Sequence, residues 1–234
     1  FPNTIPYSEA IGFIARVDDQ DEDDLDYPYY VTSHELAHQW WAHQVIGANV
    51  QGATLLSETL AQYSALMVMK RRYGEDKMKR FMRFELERYL TGRSTENKRE
   101  VPLALVEDQP YVHYAKGSLV MYALQDYLGE DAVNRAIRSF LAATAYKGPP
   151  YPTSEALVQR IREVAGAEHA ELVEDLFERI VPFENRALEA RAQKLASGRY
   201  QVTLSVRAKK LRADELGAQT EVPLRQQIDI GVLD

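Results

Sequence analysis

Two histidines four residues apart, His34 and His38, enclose Glu35, and the next acidic residue along the chain is Glu58. No other feature of the sequence constrains the fold as tightly. On a helix, residues four apart lie one turn above each other, so both imidazoles leave the same face as a bidentate clamp. Two ligands do not hold a metal ion. Between His38 and Glu75 the sole carboxylate is Glu58, and it lies in an apolar helical run from Ala53 to Met69. A lone carboxylate there is costly to bury unless it is paired or bound to a cation. The chain is therefore expected to lay a second helix against the first. The result would be a His34, His38 and Glu58 ligand set for one zinc ion, with a fourth position open for water, the donor pattern of catalytic zinc. Glu35 would then reach a metal-bound water without ligating the metal. Read blandly, these are solvated helix residues, which requires three specified residues to fall in register by coincidence.

Composition narrows the class further. With 234 residues, 45% hydrophobic and 27% charged, the chain has material for one sizeable core and a smaller satellite. A net charge of -7 argues against a nucleic-acid role. The absence of cysteine rules out a disulfide framework, a thiolate zinc site and a cysteine nucleophile. No apolar run is long enough to span a bilayer as a helix. A first residue of Phe1 rather than Met points to a processed product or an excised piece of something longer.

Along the chain, Ile11 to Val17 reads as a strand. The acidic run from Asp18 to Asp26 alternates like a calcium loop but lacks the turn glycine and closing glutamate of one, so it reads as a solvated loop. Helices are expected from Pro28 to near Gly47, from Thr54 to Tyr73 and, with a wet, charged outer face, from Glu75 to Leu90. An irregular stretch from Thr91 to Pro110 precedes a helix entered through Tyr111, His113 and Tyr114. Further helices fit Asp131 to Tyr146, Thr153 to Val164 with Thr153 or Ser154 as cap, and Ala167 to Ile180. Beyond Pro182 the period changes to two. Arg199 to Val206 reads as a half-buried strand after a Ser197-Gly198 turn, Gln226 to Leu233 as another, and Leu188 to Leu195 as either a partner strand or a last helix. The fold class is mainly α, with a short N-terminal strand region and a helical domain over residues 1–182, followed by part of a sandwich-like β domain over 183–234.

These motifs resemble the zinc aminopeptidases of the aminopeptidase N type, within the gluzincin metallopeptidases, whose catalytic domain is thermolysin-like. His34-Glu35-Leu36-Ala37-His38-Gln39-Trp40-Trp41 is similar to that family's first zinc helix. Leu56-Ser57-Glu58-Thr59-Leu60-Ala61-Gln62-Tyr63 is similar to its second, after a spacing one residue longer than usual, which reads as a loop insertion. Tyr114-Ala115-Lys116-Gly117 resembles the family's Tyr-Glu-Lys-Gly segment.

The resemblance implies peptide hydrolysis by a zinc-activated water, with Glu35 as proton carrier and Tyr114 as oxyanion donor. It also implies Glu9 as the anchor for the substrate's α-amine, in a loosely matching segment from Pro6 to Phe13. His43 is not expected to be a ligand, because a metzincin would place its third histidine where Gln44 stands. Flanking domains are missing relative to the family, and a membrane-fused bacterial parent would fit. Two rival readings carry different expectations. A thermolysin-like endopeptidase would cut an acetylated peptide. A zinc-containing structural or interaction domain of a membrane assembly would turn over nothing.

Overall fold

The computed structural model describes residues 2–18, 20–21, 24–214, 216–228 and 230–231. They fall into two compact units, Phe1–Glu178 and Arg179–Asp234. The first is helical: α1 (Tyr27–Ala37), α2 (Leu60–Tyr73), α3 (Met78–Thr95), α4 (Gly117–Leu128), α5 (Glu130–Thr144), α6 (Ser154–Ala165) and α7 (Ala170–Phe177). Among the described residues, no helix is long and apolar enough to cross a membrane.

Helix α1 starts where Asp26 accepts a hydrogen bond from the Tyr29 amide at 3.1 Å, with Pro28 in the first turn where a missing N–H costs nothing. It ends at Ala37, about ten residues short of the sequence expectation. Trp41 and Val45 are both drawn into the core and pair as a short bridge, and this folds the chain back, with Ala42 in the left-handed region at φ 113°. The Trp41 indole donates to Ser64 Oγ at 3.1 Å, tying that turn to α2. Helix α2 buries Leu60, Ala61, Gln62, Tyr63, Ala65, Leu66 and Met69, so its first three turns sit in the core before the basic Lys70-Arg71-Arg72 end. Gly74, at φ +85°, ends it.

On helix α3 Lys79, Arg83 and Glu87 are exposed as a wet face requires, and one charge departs from that reading. Leu86 is 45% exposed, whereas Glu85 is fully buried. Thr153 and Ser154 make no side-chain cap on α6, and the Ser154 hydroxyl donates instead to the Ala104 carbonyl at 2.7 Å.

The expected N-terminal strand does not form. Ala10–Ile14 is a π-helical turn, and Phe13 and Ile14 lie largely exposed. A strand needs a neighbour to satisfy its backbone, and no strand pairs with this segment among the described residues, so its amides bond locally. Of the acidic run, Asp19, Glu22 and Asp23 lie outside the described residues.

The second unit is an antiparallel sheet in the order β1 (Phe183–Lys194), β2 (Tyr200–Ala213), β3 (Gln219–Val222). Pairing with β2 from Lys194↔Tyr200 to Phe183↔Lys210 settles Leu188 to Lys194 as strand, with an irregularity in register between Ala187 and Glu189. Gly198, at φ +82°, makes the turn as expected. The strand expected over Gln226 to Leu233 is absent from the part that is described, and Asp229, Val232 and Leu233 lie outside it.

Candidate metal centre

His34 sits in the last turn of α1 and His38 at its C-cap. Glu58 comes from the next element, a π-helical turn over Leu55–Thr59 that leads into α2. Packing of α1 on α2 brings the three together. His34 Nε2 and His38 Nε2 each lie 3.4 Å from Glu58 Oε2. Among the described residues this is the one group of three or more such side chains whose ligand atoms lie within 4.8 Å of one another.

The spacing tests the fit of a metal ion. Bonds of about 2.0–2.1 Å to a tetrahedral zinc place neighbouring donor atoms roughly 3.3–3.4 Å apart. The two histidine–carboxylate separations, each 3.4 Å, match that edge. The donor types match as well, two imidazoles and a carboxylate. His38 Nδ1 lies 2.9 Å from the Trp41 carbonyl, to which it can only donate, so the neutral imidazole carries its lone pair on Nε2, the nitrogen a metal would take, and the protonated one donates from Nε2 to Glu58. The tight turn that ended α1 early therefore also orients a candidate ligand.

Electrostatics follow the same geometry. Burial alone would raise the Glu58 carboxyl, but hydrogen bonds from His34 and His38 outweigh it and hold the group far below the usual carboxylate range. Burial would likewise lower His38, yet its bonds to Glu58 and Trp41 leave it raised. Tyr114, from the π-helical turn Tyr111–Lys116, stands with its ring centroid 5.5 Å from that of His34. Burial first, then the Glu58 charge and hydrogen bond, push its phenol well above the ordinary value, so it remains an O–H donor at neutral pH. Glu35 is partly exposed and lines a cavity of about 160 Å³ together with His34, Gln62, Arg88 and Tyr114.

The remaining histidines and Glu9 stand apart from this cluster. Glu9 is exposed at the entrance to the Ala10–Ile14 turn, and among the described residues no hydrogen bond or ion pair joins it to the cluster. His43 lies in the turn between Trp41 and Val45, not on a helix face. His169 Nδ1 contacts the Ala165 carbonyl at 3.1 Å. His113 is buried beside Tyr114, with ring centroids 4.4 Å apart, and burial lowers its pKa.

Sequence reasoning missed a buried network beneath the cavity. Tyr30 Oη donates to Glu85 Oε1 at 2.7 Å, Gln62 Nε2 donates to the same oxygen at 2.7 Å, and Arg88 NH1 reaches Glu85 Oε2 at 3.2 Å. Its members are separated by 23 to 58 residues except for Glu85 and Arg88, and nothing in the pattern of α3 distinguishes these two charges from the solvated ones.

Compared with known proteins, residues 13–179 match the model of the peptidase family M1 domain. The chain belongs to that family of metallopeptidases. It is 27% identical over 123 residues to human endoplasmic reticulum aminopeptidase 2, a match covering 50% of this chain and 13% of that protein. Among solved structures it resembles the M1 zinc metallopeptidase from Deinococcus radiodurans, with a TM-score of 0.50, 26% identity, and 64% of this chain aligned to 32% of that one. A mutant of the same enzyme bound to a Tyr-Ser-Ala substrate gives a TM-score of 0.50 and 25% identity over the same shares. The chain thus spans about a third of the length of the structures it matches and shares their fold over the aligned part.

Proposed function

We propose that this chain carries the catalytic centre of a zinc-dependent aminopeptidase, with His34, His38 and Glu58 as the metal ligands and a peptide as substrate. The observation that carries the reading is the convergence of those three donors, with both histidine–carboxylate separations at a tetrahedral edge length and Glu35 and Tyr114 on the wall of the adjoining cavity. When bound, zinc would supply Lewis acidity, making water nucleophilic near neutral pH and polarising the scissile carbonyl. Glu35 takes a proton from the attacking water and delivers it to the leaving amine. Tyr114 donates a hydrogen bond to the oxygen that gains charge as the tetrahedral species forms, a role that needs the protonated phenol its surroundings maintain. Glu58 would join the ligand set as a carboxylate, the state its surroundings already favour without the metal.

Exopeptidase action is the finer part of the reading. It rests on the family relationship and on Glu9 as a partner for the substrate's α-ammonium. The test uses the complete protein that bears this sequence. About one zinc per chain is expected, abolished by His38→Ala, together with release of amino acids from aminoacyl amides. Glu35→Gln should retain the metal and lose roughly 10²–10⁴-fold in turnover. Cleavage of an N-acetylated peptide as fast as of the free one would replace the aminopeptidase reading with an endopeptidase. A zinc-loaded protein that turns over neither, and that Glu35→Gln leaves unaltered, would be a structural zinc domain.

A further inference from the structure

We propose that Arg88 forms a carboxylate-binding subsite, so that substrates bearing an anionic group on the leaving side of the scissile bond are preferred. Arg88 lies on α3 one turn from Glu85 and borders two spaces at once. One is the cavity of about 160 Å³ that holds His34, Glu35 and Tyr114. The other is a larger groove of about 630 Å³ between α3 and the Tyr111 turn, lined by Phe84, Thr91, Gly92 and Tyr111 among others. A peptide whose scissile carbonyl faced Glu35 and Tyr114 would pass Arg88 on its way into the groove.

The guanidinium is held for such a task. Its carbon lies 5.5 Å from the Phe84 ring centroid and 5.9 Å from that of Tyr114, an arrangement in which two aromatic faces fix the fork. Both contacts to Glu85, at 3.2 and 3.4 Å, come from NH1. Glu85 is fully buried and already accepts hydrogen bonds from Tyr30 and Gln62, so it acts as a fixed post for the arginine. The arginine side chain itself is 38% exposed, which leaves it accessible from both spaces. Two carboxylates also line the groove, each contacting a partner other than Arg88. Glu87 pairs with Arg83 at 3.8 Å, and Glu96 Oε1 accepts from the amides of Asn97 and Lys98. A planar, permanently charged fork at such a junction suits a carboxylate, with bidentate geometry available to it. That group could be the C-terminus of a short peptide or an acidic side chain.

The choice of the leaving side rests on the proposed metallopeptidase reading, whereas carboxylate binding does not, and two measurements separate them. Titration calorimetry on the metal-free complete protein compares Ala-Phe with Ala-Phe-amide, and Ala-Asp-amide with Ala-Asn-amide. On the zinc-loaded protein, kcat/KM is compared within the same pairs. In at least one pair the anionic member should be favoured about tenfold, which is the size of one charge-assisted interaction. Arg88→Gln should bring that ratio close to one, and Arg88→Lys, which keeps the charge without the fork, should retain part of it. Preference in the first pair alone assigns the C-terminal carboxylate, in the second alone the side chain. Equal affinity within both pairs in the wild-type protein overturns the subsite without recourse to any variant, and so does a preference that survives Arg88→Gln. If calorimetry shows the Arg88-dependent preference while no peptide is hydrolysed, the subsite stands and the peptidase reading falls.

Discussion

At the scale of single residues, surroundings separate groups of the same chemistry. Glu58 is held as an anion by the two imidazoles beside it, while Glu35 lines the adjoining cavity. Tyr114 is kept protonated by burial and by Glu58. Removing its hydroxyl in Tyr114→Phe should lower kcat by roughly 10²–10³-fold, the usual cost of one oxyanion donor, with zinc content unchanged by metal analysis. His113, packed against it, supplies a pH signature. Burial holds its folded pKa below the ordinary histidine value, so the folded state resists protonation there more than the unfolded chain does. The unfolded state then binds more protons below about pH 6.5, and stability must fall as pH drops through that region. The urea midpoint should decline from about pH 7 to 5 by an increment that disappears in His113→Gln. The grouping of His34, His38 and Glu58 was legible in the sequence because residues four apart on a helix share a face and Glu58 is the sole carboxylate between His38 and Glu75. Tyr114 needed a family resemblance, and Glu85 and Arg88 gave no signal, because their burial depends on Tyr30 and Gln62 from other helices.

At the scale of elements, the two residues that meet the α1 histidines at the candidate centre both come from wide helical turns. Glu58 lies in the π-helical turn before α2 and Tyr114 in the one before α4. Hydrophobic periodicity predicted helix in both places and could not show the widening, since a π turn differs from an α turn by a single residue. Such a turn also offers a place inside the helix for the one-residue-longer spacing before Glu58. The two turns are joined directly, with Thr59 Oγ1 donating to the His113 carbonyl. Gly117 makes the close approach possible: a Cβ there would sit 2.6 Å from Thr59 Oγ1 and 2.7 Å from Thr59 Cγ2. On an open helix, glycine to alanine stabilises by about 0.5–1 kcal/mol. At this contact the steric cost, about 1–3 kcal/mol, should win. Gly117→Ala is expected to lower the urea midpoint and to reduce kcat more than zinc content, because it pries Tyr114 away from Glu58. Adding Thr59→Ala should recover much of the lost stability; a Gly117→Ala protein more stable than wild type would refute the contact.

At the scale of the whole molecule, the candidate centre belongs to one unit. His34, His38, Glu58 and Tyr114 all lie within Phe1–Glu178, and so does every buried member of the two hydrophobic clusters, from Tyr30 to Phe177. The sequence placed the change of architecture at Pro182, where the period of two begins; the compact units part at Glu178 and Arg179, just after α7 ends. We propose the helical unit as a domain in its own right, since a core that closes on itself needs no further burial to hold its helices. A chain ending at residue 178 should then fold and bind zinc as the longer chain does. Metal analysis after gel filtration should find about one zinc per chain in both, and none in either once His38 is alanine. Thermal unfolding should move upward when zinc is supplied to the shorter chain, because an ion bound only by the folded state stabilises it by mass action. A shorter chain that is helical by circular dichroism yet holds no zinc would show that the ligand geometry depends on residues beyond 178.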